Sequence, residues 1–414
     1  MVRHGNSWPE RACASSLLAK GVLERRPGGV LCAVLLSARV GGGPTMNVVV
    51  LGSDGYTGWP LVARLLDHGH RVHGIDHCGA REYRGRSVTP IDEHATRAAI
   101  ANETLDGTYS YDTGLDVTRY RGLRAALSKH DPDAIVNLAQ IPSAPYSMRG
   151  PADAWDTHRN NVQGSLNLLW ALKELDRTDT HVVQLATMGE YGTPEAGIPE
   201  GFLPDGRPAP KEPGSFYHAS KVATTVNTIF AARAWGLPVT ECYQGIVYGV
   251  HTDATDRDPA LRTRFDADAT WGTVLNRFTA QAAVGHPLTV YGEGGQCRAM
   301  LSLQDCVRCI HLLLENPPEG YRAVNQFDGA YRVREVADMV ADETGADVTT
   351  VENPRVEDDS AHAFDPERGV LDELGYAPER SIREELRRTY ATVCEHRERI
   401  DTDSLSPRTV WADA

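Results

Sequence analysis

The stretch Met46-Asn-Val-Val-Val-Leu51-Gly52-Ser53-Asp54-Gly55-Tyr56-Thr57-Gly58-Trp59-Pro60 decides the fold. Asn47–Leu51 is apolar after its first residue, the pattern of a strand buried on both faces. Gly52 permits a tight turn, Gly55 lets backbone approach a pyrophosphate, and Gly58 allows a helix to pack closely on the sheet. Pro60 falls in the first helical turn, where a missing N–H costs nothing. Leu61, Leu65 and Leu66 then mark one side of a helix over 60–68. The next strand, Arg71–Asp76, ends in a carboxylate placed to accept ribose hydroxyls and to repel a 2′-phosphate, so NAD is expected rather than NADP. Asp116-Val117, at the end of an expected third strand, is the candidate adenine neighbour, although Asp116 also reads as a simple strand-end acid.

The same rhythm continues outward. Apolar strands at Ala134–Leu138, His181–Leu185 and Pro238–Tyr243 alternate with helices around Gly164–Leu175 and after Tyr217. Strands of this kind separated by helices give a parallel sheet covered on both faces, and right-handed crossovers make it doubly wound. The fold class is α/β, a Rossmann doubly wound parallel sheet over 46–245, followed by a smaller C-terminal substrate-binding lobe over 246–414 with some segments returning to the first domain. Residues 250–268 read as a long functional loop. Helices follow at Thr273–Val284, Ser302–Leu314, Arg334–Thr344 and Ile382–Val393, with a short strand at Pro287–Tyr291.

The chain has 414 residues, 41% hydrophobic and 24% charged, with net charge −14. No stretch of about twenty apolar residues occurs, so no membrane span is expected. Residues 46–414 carry 36 Lys+Arg against 54 Asp+Glu. Such an acidic surface repels phosphate backbones and excludes nucleic acid as the partner class. Residues 1–45 are instead basic, with six Lys+Arg against two Asp+Glu. They read as a disordered leader or a misassigned start rather than a targeting segment. The eight cysteines are scattered, as in reduced cytoplasmic proteins. Cys306 and Cys309 form a lone CxxC on a helix and are expected to face the core, so no metal site is expected.

Tyr217 and Lys221 stand one helical turn apart, and Thr187 closes the preceding strand. Tyrosine in water titrates near 10, too high for a base at neutral pH. An ammonium nearby and a positive nicotinamide ring both favour its phenolate. Together the three could remove a hydroxyl proton while hydride leaves for NAD.

Longer strings carry a resemblance. They include Asn137-Leu-Ala-Gln140, Ser143-Ala-Pro-Tyr-Ser-Met148, Asn160-Asn161-Val-Gln-Gly164, Thr187-Met-Gly-Glu-Tyr-Gly192, Ser215-Phe-Tyr-His-Ala-Ser-Lys221, Gln244-Gly-Ile-Val-Tyr-Gly249, Leu275-Asn-Arg-Phe278 and Asn353-Pro-Arg-Val-Glu357. From about residue 47 almost to the C-terminus the chain resembles the UDP-sulfoquinovose synthase family of extended short-chain dehydrogenases. The resemblance implies NAD-dependent oxidation of UDP-glucose at C4, loss of water from C6, addition of sulfite, and reduction at C4, in a cytoplasmic homodimer. Sulfite would arrive free or from a sulfur-donating protein.

The implied catalytic residues are Thr187, Tyr217 and Lys221, with Glu190 and His218 as candidates for the C5/C6 proton transfers. His218 can equally line the pocket, and Glu190 can pair with an arginine. Gly52, Asp54, Gly55, Tyr56, Gly58, Asp76, Asp116, Val117, Asn161, Tyr217, Lys221 and Val247 are the cofactor-binding candidates. Thr187, Tyr217, Gln244, Asn276, Arg277, Thr289, Tyr291, Arg298 and Arg355 fall where the family holds the UDP-sugar, with packing an equal reading for Thr289 and Tyr291. Two departures stand out. Ile141-Pro142 replaces a Gln-Arg whose arginine contacts substrate in the family, and Met188 stands where related 4,6-dehydratases carry a proton-donating Asp. The alternatives are a UDP-sugar 4-epimerase or dehydratase without sulfite, and a non-catalytic dinucleotide-binding scaffold on the same fold.

Overall fold

Along Asn47–Leu51 (β1) the side chains alternate between two cores. Val48 and Val50 join one cluster, Val49 and Leu51 the other, and all four are fully buried. A strand with two buried faces needs a helical layer on each side, and the chain supplies both. It continues through α1 (Gly58–Asp67), β2 (Arg71–Asp76), α2 (Ala80–Tyr83), α3 (His94–Thr104), β3 (Thr108–Thr113), α4 (Tyr120–His130), β4 (Ala134–Asn137), α5 (Ala144–Ser147), α6 (Pro151–His158), α7 (Gly164–Glu174), β5 (His181–Thr187), α8 (Phe216–Trp235) and β6 (Val239–Gln244). A π-helical turn at Arg159–Gln163 joins α6 to α7. These elements belong to a computed structural model of the protein, which describes residues 44–193, 197–355 and 364–411. The expectations for residues 1–43 lie outside the described residues.

Beyond Gly245 come β7 (Ile246–Tyr248), α9 (Val274–Ala283), β8 (Leu288–Tyr291), β9 (Cys297–Ser302), α10 (Leu303–Glu315), β10 (Tyr321–Gln326), β11 (Gly329–Arg332), α11 (Val333–Thr344), β12 (Val348–Val351), α12 (Gly369–Glu373) and α13 (Ile382–Glu395). The main sheet has seven strands in the order β10-β6-β5-β4-β1-β2-β3, every pairing parallel. That is the expected doubly wound sheet. Its seventh strand, β10, comes from the C-terminal part, and α10 packs beside α1 in the same core. A small sheet (β11-β9-β7), the pair β12-β8 and helices α9, α11 and α13 build the second lobe around its own core.

The third strand ends earlier than expected. Gly114, at φ 81°, turns the chain out of the ladder after Thr113, so Asp116 and Val117 lie in the following loop. Residues 250–268 form a long loop with two short 3₁₀ turns. It clamps the glycine turn: Thr263 Oγ1 donates to the Tyr56 carbonyl (2.9 Å), and Trp59 Nε1 donates to the Leu261 carbonyl (2.7 Å). Cys306 and Cys309 are both buried in the core. Among the described residues no helix is long and apolar enough to cross a membrane.

Candidate active site

The carboxyl ends of β1, β2, β4, β5 and β6 open onto one cleft of about 650 Å³. In an open parallel sheet this is where ligands bind. At its floor Gly52 has φ 82°, and a Cβ there would lie 2.6 Å from the Leu138 carbonyl. A Cβ on Gly58 would lie 2.0 Å from the Gly52 oxygen. The turn therefore tolerates no side chain at either place, and α1 begins directly against it. Gly52, Gly55, Tyr56, Gly58, Asp76, Val117 and Val247 all line the cleft. The Asp76 carboxylate is oriented by the backbone N–H groups of Asp54 (2.9 Å) and Cys78 (2.7 Å).

Three cofactor candidates are not brought to the cleft. The Asp54 side chain turns into the protein, where Arg81, Arg97 and His94 hold it and its carboxyl is pushed far below the usual range despite burial. Asp116 spends its carboxylate on the Thr118 N–H (2.8 Å), ordering the loop that presents Val117. Asn161 acts one layer back. Its amide accepts from the Ile141 N–H (2.8 Å) and donates to the Ser220 hydroxyl (3.0 Å), tying the cleft wall to α8. The π-helical turn aims it there, and Asn160 from the same turn lines the cleft.

Ser215 caps α8 by accepting from the His218 N–H (3.2 Å). The Tyr217 N–H donates to the Ser147 hydroxyl (2.9 Å), fixing the first turn to α5. Tyr217, His218 and Lys221 therefore face the cleft together with Thr187 and Met188 at the end of β5. The Tyr217 phenol hydrogen bonds to the Thr187 side chain. Lys221 donates from Nζ to the Leu185 carbonyl (2.9 Å) and lies 5.7 Å from the centre of the Tyr217 ring.

The expected easing of the tyrosine toward phenolate is not met by the chain alone. Burial, helped by the negative charge of Glu190, pushes Tyr217 well above its ordinary value. Burial also brings Lys221 down to about 8, opposed by Glu190 and Glu241.

Glu190 is fully buried and is not among the residues that line the cleft. Its side chain closes a capping box with Thr187, accepting from the Thr187 N–H (3.3 Å). Its partners are Lys211 (3.6 Å) and the Thr225 hydroxyl (3.1 Å), which is also 3.0 Å from Glu241. A hydroxyl has one proton to give. Both carboxyl groups can hydrogen bond to that hydroxyl at once only when one of them carries a proton of its own. Glu241 fits that part, because burial raises it to about 8. Glu241, Thr225 and Lys211 were invisible as a group in the sequence, since strand, helix and loop bring them from three separate places.

Gln244, Asn276, Arg298 and Arg355 also line the cleft, Gln244 as the strand partner of Thr187. Asn276 also accepts from the Gly249 N–H (2.9 Å). Arg277 and Tyr291 line an adjoining cavity of about 140 Å³, with the guanidinium 4.5 Å from the ring centre. Thr289 reaches neither space. It is buried and accepts from Arg277 and Gln281, so packing is its observed role. Pro142 lines the cleft, as do Arg84 and Trp271, which sequence reasoning did not single out.

Comparison with known proteins agrees with this architecture. Residues 48–325 match the model of the NAD dependent epimerase/dehydratase family. UDP-sulfoquinovose synthase of Sulfolobus acidocaldarius is 38% identical over 387 residues, spanning 88% of this chain and 98% of that protein. The chloroplastic UDP-sulfoquinovose synthase of Spinacia oleracea is also 38% identical, spanning 88% of this chain and 79% of its own. Among solved structures, the fold is shared with UDP-glucose 4-epimerase of Thermotoga maritima at TM-score 0.65 and 21% identity, over 84% of this chain and 99% of that one. The chain belongs to the NAD dependent epimerase/dehydratase family and, within it, to the UDP-sulfoquinovose synthases.

Proposed function

We propose that the protein joins UDP-glucose and sulfite to form UDP-sulfoquinovose, with NAD as a recycled cofactor. The observation that carries this reading is the end of β5. Thr187 meets the Tyr217 phenol in the cleft, and its neighbour there, Met188, is a thioether with no proton to give. Such a wall can take the proton of a sugar hydroxyl while NAD would accept the hydride, but it lacks the adjacent acid that a 4,6-dehydratase uses. That favours an external nucleophile at C6. The 38% identity to two synthases over 88% of the chain supports the same choice.

The glycine turn without room for side chains and the Asp76 carboxylate fit a dinucleotide. Bound NAD supplies a hydride acceptor at C4 and returns the hydride at the end. Tyr217 takes the C4 hydroxyl proton, Thr187 holds the C4 oxygen, and Lys221 keeps a positive charge beside the phenol. The C4 ketone acidifies the C5 hydrogen. Loss of that proton and of the C6 hydroxyl as water leaves an enone, and the sulfur lone pair of sulfite adds at C6 while a proton returns to C5. His218, on the cleft wall, serves these proton transfers. Tyr217 gives its proton back to the C4 oxygen as the alcohol is restored. Bisulfite and UDP-glucose thus yield UDP-sulfoquinovose and water, with no net oxidation of the cofactor.

Gln244, Asn276, Arg298 and Arg355, with Arg277 and Tyr291 in the adjoining cavity, hold the UDP moiety, where guanidinium forks suit a diphosphate. A homodimer forms through α6 and α8, where Trp155 (81% exposed), Phe216, Val226 and Phe230 leave an uncovered apolar face. The reaction is cytoplasmic, where NAD and UDP-glucose are retained. Sulfite arrives free or from a sulfur-donating protein. The test is incubation of the purified protein with UDP-glucose, with and without sulfite. A sulfonated UDP-sugar formed only with sulfite is expected. UDP-galactose or a 4-keto-6-deoxy sugar would establish the epimerase or dehydratase alternative.

A further inference from the structure

Arg84 follows α2, in the segment that leaves the cofactor side of the sheet after Asp76, and it lines the main cleft. Its side chain is only 9% exposed. Nevertheless its guanidinium makes no hydrogen bond with the described residues, and its Nε is buried without a partner. The nearest carboxylate, Asp266, is 3.7 Å away, beyond hydrogen-bond length. Asp266 is already committed. Arg264 grips it from Nε (2.9 Å) and Nη2 (2.6 Å). Two guanidinium groups to one carboxylate leave one positive charge in surplus. The neighbouring Asp268 is turned to the backbone N–H groups of Thr270 and Trp271.

What holds Arg84 in place is an aromatic surface. Its guanidinium carbon lies 4.7 Å from the Trp271 ring centre and 5.8 Å from that of Tyr83. Stacking occupies the flat face of a guanidinium and leaves the in-plane N–H edge free. A permanently charged, largely buried group whose Nε–H has no partner is costly unless a partner arrives. Planar donors in a fork match an oxyanion. Trp271 also meets the ring of Tyr146 (4.9 Å), and the Ser143 hydroxyl donates to the Thr270 carbonyl (2.6 Å). Arg84 is therefore joined to the wall that carries Pro142, a residue with no charge to offer.

We propose that Arg84 is an oxyanion-binding residue of the cleft, stacked on Trp271 so that its donor edge is kept for an arriving anion. Three anions share that chemistry: the diphosphate of NAD, the diphosphate of UDP-glucose, and sulfite. The last two rest on the function proposed above, and the first does not.

The experiment compares the unaltered protein with Arg84→Gln, which removes the charge, and Arg84→Lys, which keeps charge but loses the fork. Calorimetric titration gives dissociation constants for NAD and UDP-glucose, and steady-state rates give the KM for sulfite. A charge-assisted contact of this kind is expected to weaken one anion by about 10- to 100-fold in Arg84→Gln. The lysine variant should fall between the two, and melting temperatures should stay within a few degrees. A loss confined to one of the three anions names the source. If all three stay within about twofold, the proposal is overturned. Should Arg84→Gln fail to fold, Arg84→Lys decides by the same criterion. The two titrations need no turnover, so they hold even if no sulfonated product forms.

Discussion

Lys221 Nζ donates to the Leu185 carbonyl at 2.9 Å, anchoring the ammonium to the strand that ends in Thr187. This bond fixes where the positive charge stands relative to Tyr217 before any ligand enters. Removing it in Lys221→Met should lower kcat by roughly 10²- to 10⁴-fold, the range expected for general acid–base groups. The NAD affinity should fall as well if Lys221 also holds the ribose. Steady-state kinetics together with NAD titration check both.

Tyr217→Phe keeps the ring and its packing but removes the phenol oxygen that faces Thr187. Turnover should drop by about 10³-fold or more while NAD binding stays within about twofold. Unchanged turnover would remove Tyr217 as the base.

Glu241 links buried chemistry to pH. Its folded-state value is raised from 4.5 to about 8, mainly by burial. The folded protein therefore binds more protons than the unfolded chain between those values, and stability falls as pH rises through that window. Glu241→Gln imitates the protonated form. Its melting temperature should match the unaltered protein near pH 4.5 and exceed it by ~2 °C or more near pH 8. Equal differences at both pH values would show that Glu241 holds no proton in the fold.

Gly58→Ala places a methyl group 2.0 Å from the Gly52 oxygen. Backbone must move, and the displaced atoms belong to the turn that faces the diphosphate. NAD affinity should fall at least about tenfold, and stability should drop by about 2 kcal/mol or more. Gly55→Ala has only the Gly52 oxygen near it, at 3.2 Å, so its effect on stability should be smaller. Thermal melts and NAD titration separate the two.

Asn161→Ala leaves the Ile141 backbone N–H without its partner, while the Ser220 hydroxyl keeps its bond to the Tyr217 carbonyl (2.7 Å). Each buried group left unpaired costs about 1–3 kcal/mol. KM for UDP-glucose should rise, because Ile141 and Pro142 line the cleft, while kcat changes less. A structure of the variant with its Ile141–Ser143 segment unmoved would count against that positioning role.

The sheet was legible because period and composition agree over every inner strand. Val48 through Leu51 could only be buried, and the glycine spacing located the turn. Thr187, Tyr217 and Lys221 were legible because two lie one helical turn apart and the third ends the preceding strand. Where Glu190 points was not legible, because motif position says nothing about which side of a strand end a side chain takes. A capping box turns it inward, away from the cleft. Asp54 was misplaced for a related reason: Arg81, Arg97 and His94 come from beyond the next strand to claim it. Arg84 carried no signal in the sequence, since its meaning depends on Arg264 having taken Asp266 first.

The last strand of the seven-stranded sheet is also the last to be made. β10 pairs with β6, yet β7, β8 and β9, with α9, are synthesised between them. A ribosome that has delivered residue 245 has therefore released only six strands, with one edge of β6 still unpaired. The sheet is complete only after β7, α9, β8 and β9 of the second lobe have been made. A fragment cut after residue 245 should accordingly expose a sticky strand edge and aggregate, so these two lobes are partners in folding before they are partners in catalysis.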